Sequence, residues 1–292
     1  MRRLLAAAAV LAAFALPAQA EPPQRLVVAG GDLTEIVYAL KAEGRLVGVD
    51  TTSLYPPAAR RLPQIGYLRQ LSAEGVLSLG PDLLLASDTA GPATVLDQIR
   101  SAGTPLEVVR ESYTADGVIA KIEAVEKLLG LADQGLSRGV RADFAAVADA
   151  VAKVETRPRV LFVLSITAGA PLGGGRNTAA DGIIALAGGT NAVGQIERYQ
   201  QLSPEAVLAA APDMVVVASH AAEAAGGIEA VAKLPVFAET PAAKGGRIIA
   251  MDSLYLLGFG PRTPQAARDL AIVLHPGWAP PALPARAWSS GS

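Results

Sequence analysis

The sequence predicts an α/β protein built from two Rossmann-like lobes with mostly parallel sheets, joined by a single long α-helix. Three observations carry that prediction. Short buried-strand runs alternate with helical runs in each half of the chain. One stretch of text is written twice: Gln70, Leu71, Ser72, Glu74, Val76, Leu77, Pro81 and Asp82 return as Gln201, Leu202, Ser203, Glu205, Val207, Leu208, Pro212 and Asp213, each 131 positions on. Between the halves, residues 115–155 hold no proline and read as helix.

Taken in order, the first twenty residues, MRRLLAAAAVLAAFALPAQA, have two arginines, an apolar run and Ala18-Gln19-Ala20. That is the pattern of a cleavable secretory signal peptide, so residues 21–292 form the expected mature chain. Arg25–Gly30 reads as a buried strand, Asp32–Glu35 as a capping box, and Leu33, Ile36, Val37 and Leu40 as the apolar face of a helix. Arg45–Asp50, the LLLAS run after Pro81-Asp82, and LEVV at 106–109 are further strands, with a helix through Val95 and Ile99. These elements make an N-terminal lobe over residues 21–132.

Residues 133–157 are the expected connecting helix, with Val140, Phe144, Val147 and Val151 on its apolar stripe. A helix from Asp133 to Val154 would run about 33 Å. Residues 158–277 form the second lobe. Arg159–Ser165 is its first strand, Thr178–Asp181 a capping box, and Met214–Ser219 a later strand. The tail at 278–292 is rich in proline, alanine and serine and is expected to be loose.

Composition excludes several function classes. There is no cysteine, which removes disulfide scaffolds, thiolate metal sites and a Cys-linked lipid anchor. The net charge is −2 and no basic patch is visible, so nucleic acid is not an expected partner. Two histidines cannot make a three-His metal site. No Walker or dinucleotide glycine motif is present, and no nucleophile–base pair supports the reading as a periplasmic enzyme on a small substrate.

The repeated text has a local explanation. Ser72 and Ser203 suit N-caps, Pro204 the first helical position, and Glu74 and Glu205 the first turn, where the helix dipole favours an anion. Two carboxylates at matching points of two lobes also suit docking onto a symmetric partner with arginine pockets. On these motifs the chain resembles the periplasmic substrate-binding proteins of ABC importers for vitamin B12, ferric siderophores and haem, whose two lobes are joined by a long helix around a ligand cleft. The resemblance implies that Glu74 and Glu205 contact a permease dimer, served by its own ATPase subunits. It implies a monomer when free, located in a Gram-negative periplasm and not embedded in the membrane.

Within that class, TSLYPPAARRLPQIGYLRQLSAEG, GRNTAAD (175–181) and LLGFGPRTPQA (256–266) resemble the periplasmic haem-binding proteins. That resemblance implies ferric haem as transported ligand and Tyr67 as axial ligand of its iron. The chemistry is consistent: a phenolate is a hard anionic ligand for ferric iron, Tyr is a known haem ligand type, and Arg69 can stabilise the phenolate or pair with a propionate. On chemistry alone Tyr67 also suits a packed loop residue with a wet hydroxyl. Tyr199, before the second repeat, is a further cleft candidate. His220, after a strand end, can bond Tyr67, bind a propionate or ligate iron. His275 reads as a surface residue, Tyr38, Tyr55 and Tyr255 as packing. Some relatives carry a His where Ile166 stands here. Gly173–Arg176 reads as a flexible cleft loop. The alternatives are the same fold with a ferric siderophore or a corrinoid.

Overall fold

The computed structural model describes residues 21–289, so the expected signal peptide lies outside the described residues. The first half lays down β1 (Leu26–Ala29), α1 (Gly31–Ala39), β2 (Leu46–Val49), a hairpin of β3 (Gly66–Tyr67) and β4 (Gln70–Leu71), α2 (Ala73–Ser78), β5 (Leu83–Ser87), α3 (Ala93–Ser101) and β6 (Leu106–Val109). Four of these strands form an all-parallel sheet in the order β2-β1-β5-β6. Leu26, Val28, Leu83 and Leu85 join one core cluster, and Val27, Ala29, Leu84 and Ala86 another. Alternation between two apolar faces is what a sheet covered on both sides requires.

Two helices follow, α4 (Ala115–Leu128) and α5 (Leu136–Val151). The second half contains β7 (Arg159–Thr167), β8 (Ala170–Gly174), α6 (Ala179–Leu186), β9 (Thr190–Asn191), β10 (Tyr199–Gln201), α7 (Pro204–Ala210), β11 (Met214–Ala218) and α8 (Ser219–Ala224). It closes with the short helices α9 (Ile228–Ala232), α10 (Pro235–Ala238) and α11 (Pro241–Lys244), then β12 (Ile248–Met251), α12 (Ser253–Leu257) and α13 (Thr263–Leu274). Its sheet runs β10-β8-β7-β11-β12, with β9 also on β7. β7, β9, β11 and β12 pair in parallel, while β8 and β10 add an antiparallel edge. Among the described residues no helix is long and apolar enough to cross a membrane.

The repeated text folds the same way twice. Ser72 Oγ accepts from Gly75 N at 3.0 Å and Ser203 Oγ from Ala206 N at 3.2 Å, capping α2 and α7. Asp82 accepts from the backbone N–H of Arg25, and Asp213 from that of Arg159, so each Pro-Asp ties the helix end to the lobe's first strand. The same two arginines donate to carbonyls at the ends of α2 and α7. The serines and arginines satisfy backbone groups that a helix end leaves open, and the aspartates those at the start of a strand.

The halves share more than a connector. One apolar cluster runs from Leu26 and Leu85 through Ile122 and Val140 to Leu161 and Val215. Glu35 of α1 is held by Arg262, just before α13. The guanidinium donates to Oε2 from Nε and Nη2, both at 3.0 Å, and the Arg262 backbone N–H donates to Oε1 at 3.1 Å. That guanidinium also lies 3.4 Å from the centroid of the Tyr55 ring.

Five expectations need correction. Asp32 and Glu35 do not form a capping box. Gly30, at φ 145°, occupies the N-cap position of α1, while Asp32 turns to Lys121 and Glu35 to Arg262. The connecting helix is α5, 16 residues and so about 24 Å long, because Asp133 accepts from Gly135 N in a tight turn and Gly135 at φ 79° starts the helix. Gly173 and Gly174 are not a flexible loop but the end of β8. A Cβ there would meet Leu202 Cδ1 at 2.5 Å and Ala180 Cβ at 2.6 Å, so the glycines serve close packing. The tail is not loose as far as residue 289. Arg286 donates to both carboxylate oxygens of the buried Asp143 on α5, and Trp288 packs on the main core. His275 is buried, edge-on to Trp278 at the end of α13, and burial pushes its imidazole below the ordinary range.

Candidate ligand cleft

Parallel sheets leave a crevice beyond the carboxyl ends of their strands. Here both lobes contribute to one cleft of about 350 Å³ in just that position. Thr52 follows β2, Ser87 ends β5, Glu111 follows β6, and Ser253 follows β12. Leu164 and Leu172 on the β7–β8 hairpin, with Leu254 and Leu257 on α12, give the second lobe an apolar wall.

Tyr67 and Arg69 line the cleft from the first lobe. Gly66, at φ 103°, has no room for a Cβ, which would meet Gln70 O at 2.8 Å. That glycine closes the hairpin and aims its tip. The hairpin is tied down by Leu71 N donating to Gly91 O at 2.8 Å and Gly91 N to Leu68 O at 2.9 Å. Tyr67 is 43% exposed, and its phenol has no hydrogen-bond partner among the described residues. A large aromatic held on a braced hairpin with a free hydroxyl has no packing role to explain it.

Tyr199 on β10 also lines the cleft, in a different environment. Burial pushes its phenol up to about 12, so it stays a neutral hydroxyl. His220 is exposed on α8 and is not among the lining residues. Its Nδ1 sits 3.5 Å from Ser253 Oγ, one residue back from the cavity. Ile166 is on β7 and is not among the lining residues. Glu74 and Glu205 are exposed in the first turns of α2 and α7, and the α7 backbone and Ser203 hold the Glu205 carboxyl low.

Sequence reasoning missed three cleft residues. Tyr113 lines it, packed edge-on against Phe259 at 5.2 Å, and so bridges the lobes. Asp32 and Glu111 line its inner end, both bonded to Lys121, which is fully buried on α4. The signal for Glu111 and Tyr113 was their place just after the strand β6. Burial and the neighbouring Asp32 push the Glu111 carboxyl up from 4.5 to about 7. Glu111 therefore keeps its proton to higher pH in the folded chain than in the unfolded one. Its contribution to stability is complete below about 4.5 and is lost as pH rises to about 7. Unfolding free energy of the ligand-free protein is expected to fall by about 3 kcal/mol across that window. Glu111→Gln should flatten the slope in denaturant titrations at a series of pH values.

Among the described residues no group of three His, Cys, Asp or Glu side chains could hold a bare metal ion. The comparisons with known proteins agree with a binding cleft. A model of the periplasmic binding protein family matches residues 26–255. The chain belongs to the periplasmic binding protein family. Among solved members, the periplasmic heme-binding protein BhuT, in complex with two hemes, is 43% identical with a TM-score of 0.82, over 86% of this chain and 97% of its own. The periplasmic heme-binding protein RhuT from Roseiflexus sp. RS-1, in apo form, is 44% identical with a TM-score of 0.81, again over 86% of this chain and 97% of its own. The cobalamin-binding protein of Halobacterium salinarum is 30% identical over 262 residues, 87% of this chain and 70% of its own. Periplasmic binding proteins of this kind share the two-lobed α/β fold described above.

Proposed function

We propose that this periplasmic binding protein captures ferric haem in the periplasm and delivers it to an ABC permease, with Tyr67 as the iron's axial ligand. The observation that carries the reading is Tyr67 itself, an exposed phenol without a partner at the mouth of an apolar cleft. Iron binding displaces the phenolic proton and forms a bond to an anionic oxygen, which favours the ferric state. Arg69, two residues on, stabilises that oxygen or pairs with a propionate. The leucine wall covers the porphyrin face, and Tyr199 offers a neutral hydroxyl from the opposite lobe. His220 takes part only at the rim, through Ser253.

The apolar cluster shared by both halves, together with the Glu35–Arg262 pair, supports small lobe motions rather than wide closure. Glu74 and Glu205 then serve as two prongs on the permease. Glu74→Arg with Glu205→Arg should abolish haem-dependent uptake while haem affinity stays near wild type. Normal uptake by that double variant would refute the docking role.

A corrinoid is the second reading, favoured by the 30% identity to the cobalamin-binding relative. The 43% and 44% identities to haem-binding proteins support haem over it. Parallel titrations with ferric haem and with cobalamin test the choice. Tight binding of haem near one or two equivalents with no cobalamin binding is the expected result, and the reverse would overturn the proposal.

A further inference from the structure

The inner end of the cleft holds a charge cluster that the haem reading leaves unused. Lys121 on α4 is fully buried and serves two carboxylates, Asp32 in the first turn of α1 and Glu111 at 2.7 Å. Both carboxylates are about nine-tenths buried, with 10% and 11% of the side chain exposed. The second oxygen of Glu111, Oε1, is buried with no hydrogen-bond partner. One ammonium thus balances two carboxylates, leaving a formal charge of −1 at the bottom of a cleft with apolar walls. The positive group among the lining residues is Arg69, two residues after Tyr67, and both it and Glu111 act on the phenol of Tyr113.

We infer that Glu111, with Asp32 and Lys121, is a specificity-determining element that admits iron porphyrins whose carboxylates lie on one edge and rejects those with carboxylates on every edge. The inference rests on the haem reading. A porphyrin with one acidic edge can enter with its apolar edge against the cluster and its carboxylates toward solvent. A porphyrin with acidic groups all round must press one carboxylate against the excess charge. Two unit charges about 8 Å apart in a medium of effective dielectric constant about 20 repel enough to weaken binding about thirtyfold. Burial keeps salt from screening that repulsion.

The test compares the dissociation constants of ferric haem and iron coproporphyrin, which has four propionates, for wild-type protein, Glu111→Gln and Asp32→Asn. Work at about pH 8.5 keeps Glu111 ionised despite its raised carboxyl, with Asp32, Lys121, Tyr113, Arg69 and Asp88 as the charged or titratable neighbours. Each variant removes the excess negative charge from a different position, so a folding failure in one leaves the other. The ratio of the iron coproporphyrin constant to the haem constant should shrink about thirtyfold in either variant, and the shift should persist in high salt. An iron coproporphyrin tetramethyl ester should escape the wild-type penalty. An unchanged ratio in a folded variant, or equal losses for both porphyrins, would overturn the inference. Absence of haem binding by the wild type would instead count against the haem reading itself.

Discussion

Tyr67→Phe protein should bind ferric haem at least about 100-fold more weakly than wild type and lack the absorption bands of a high-spin ferric tyrosinate. The substitution removes one oxygen and little else. The phenol makes no hydrogen bond among the described residues, and the hairpin is held by backbone bonds of Leu68 and Leu71 to Gly91 rather than by the ring. Thermal stability without ligand should therefore match wild type, which separates loss of a ligand from loss of fold. The result that counts against this account is an unchanged spectrum with unchanged affinity.

Arg262→Ala should cost about 3–5 kcal/mol of stability and lower the melting temperature by about 10 °C. Glu35 and Arg262 have only 9% and 14% of their side chains exposed. The arginine supplies three donors to one carboxylate and stacks on Tyr55. Without it the carboxylate is buried and uncompensated, although the backbone N–H remains. Burial already pushes the Glu35 carboxyl up, with Arg262 pulling it down. In the variant the downward pull of the guanidinium is gone, so Glu35 takes up a proton more readily and the defect should shrink as pH falls. Arg262→Met with Glu35→Gln should recover part of the loss, because the pair is then removed together. Equal melting temperatures for wild type and Arg262→Ala would show that the pair does not hold the halves.

Much of the architecture was legible because it is local. Runs such as LVVA and LLLAS are apolar on both faces, and only a sheet covered on both sides uses them. Ser72, Ser203 and Thr178 cap helices through bonds three residues away, so their text and their structure coincide. Asp32-x-x-Glu35 has the same local form, yet its true partners, Lys121 and Arg262, lie 89 and 227 positions away. No local pattern distinguishes the two cases. The tail was misread for a related reason: proline and alanine read as loose, while Arg286 finds Asp143 across 143 positions. The place of Tyr67 on the cleft wall was legible from its motif, because the hairpin that carries it is local. Glu111 and Lys121 were not, since a buried lysine has no sequence signature apart from the carboxylates it meets in the fold.

A crystal structure of the haem-loaded protein tests the central claim most directly. The account predicts Tyr67 Oη bonded to the iron, with a porphyrin face on the apolar wall of Leu164, Leu172, Leu254 and Leu257. Iron held by another side chain, with the Tyr67 ring turned to solvent, would contradict it.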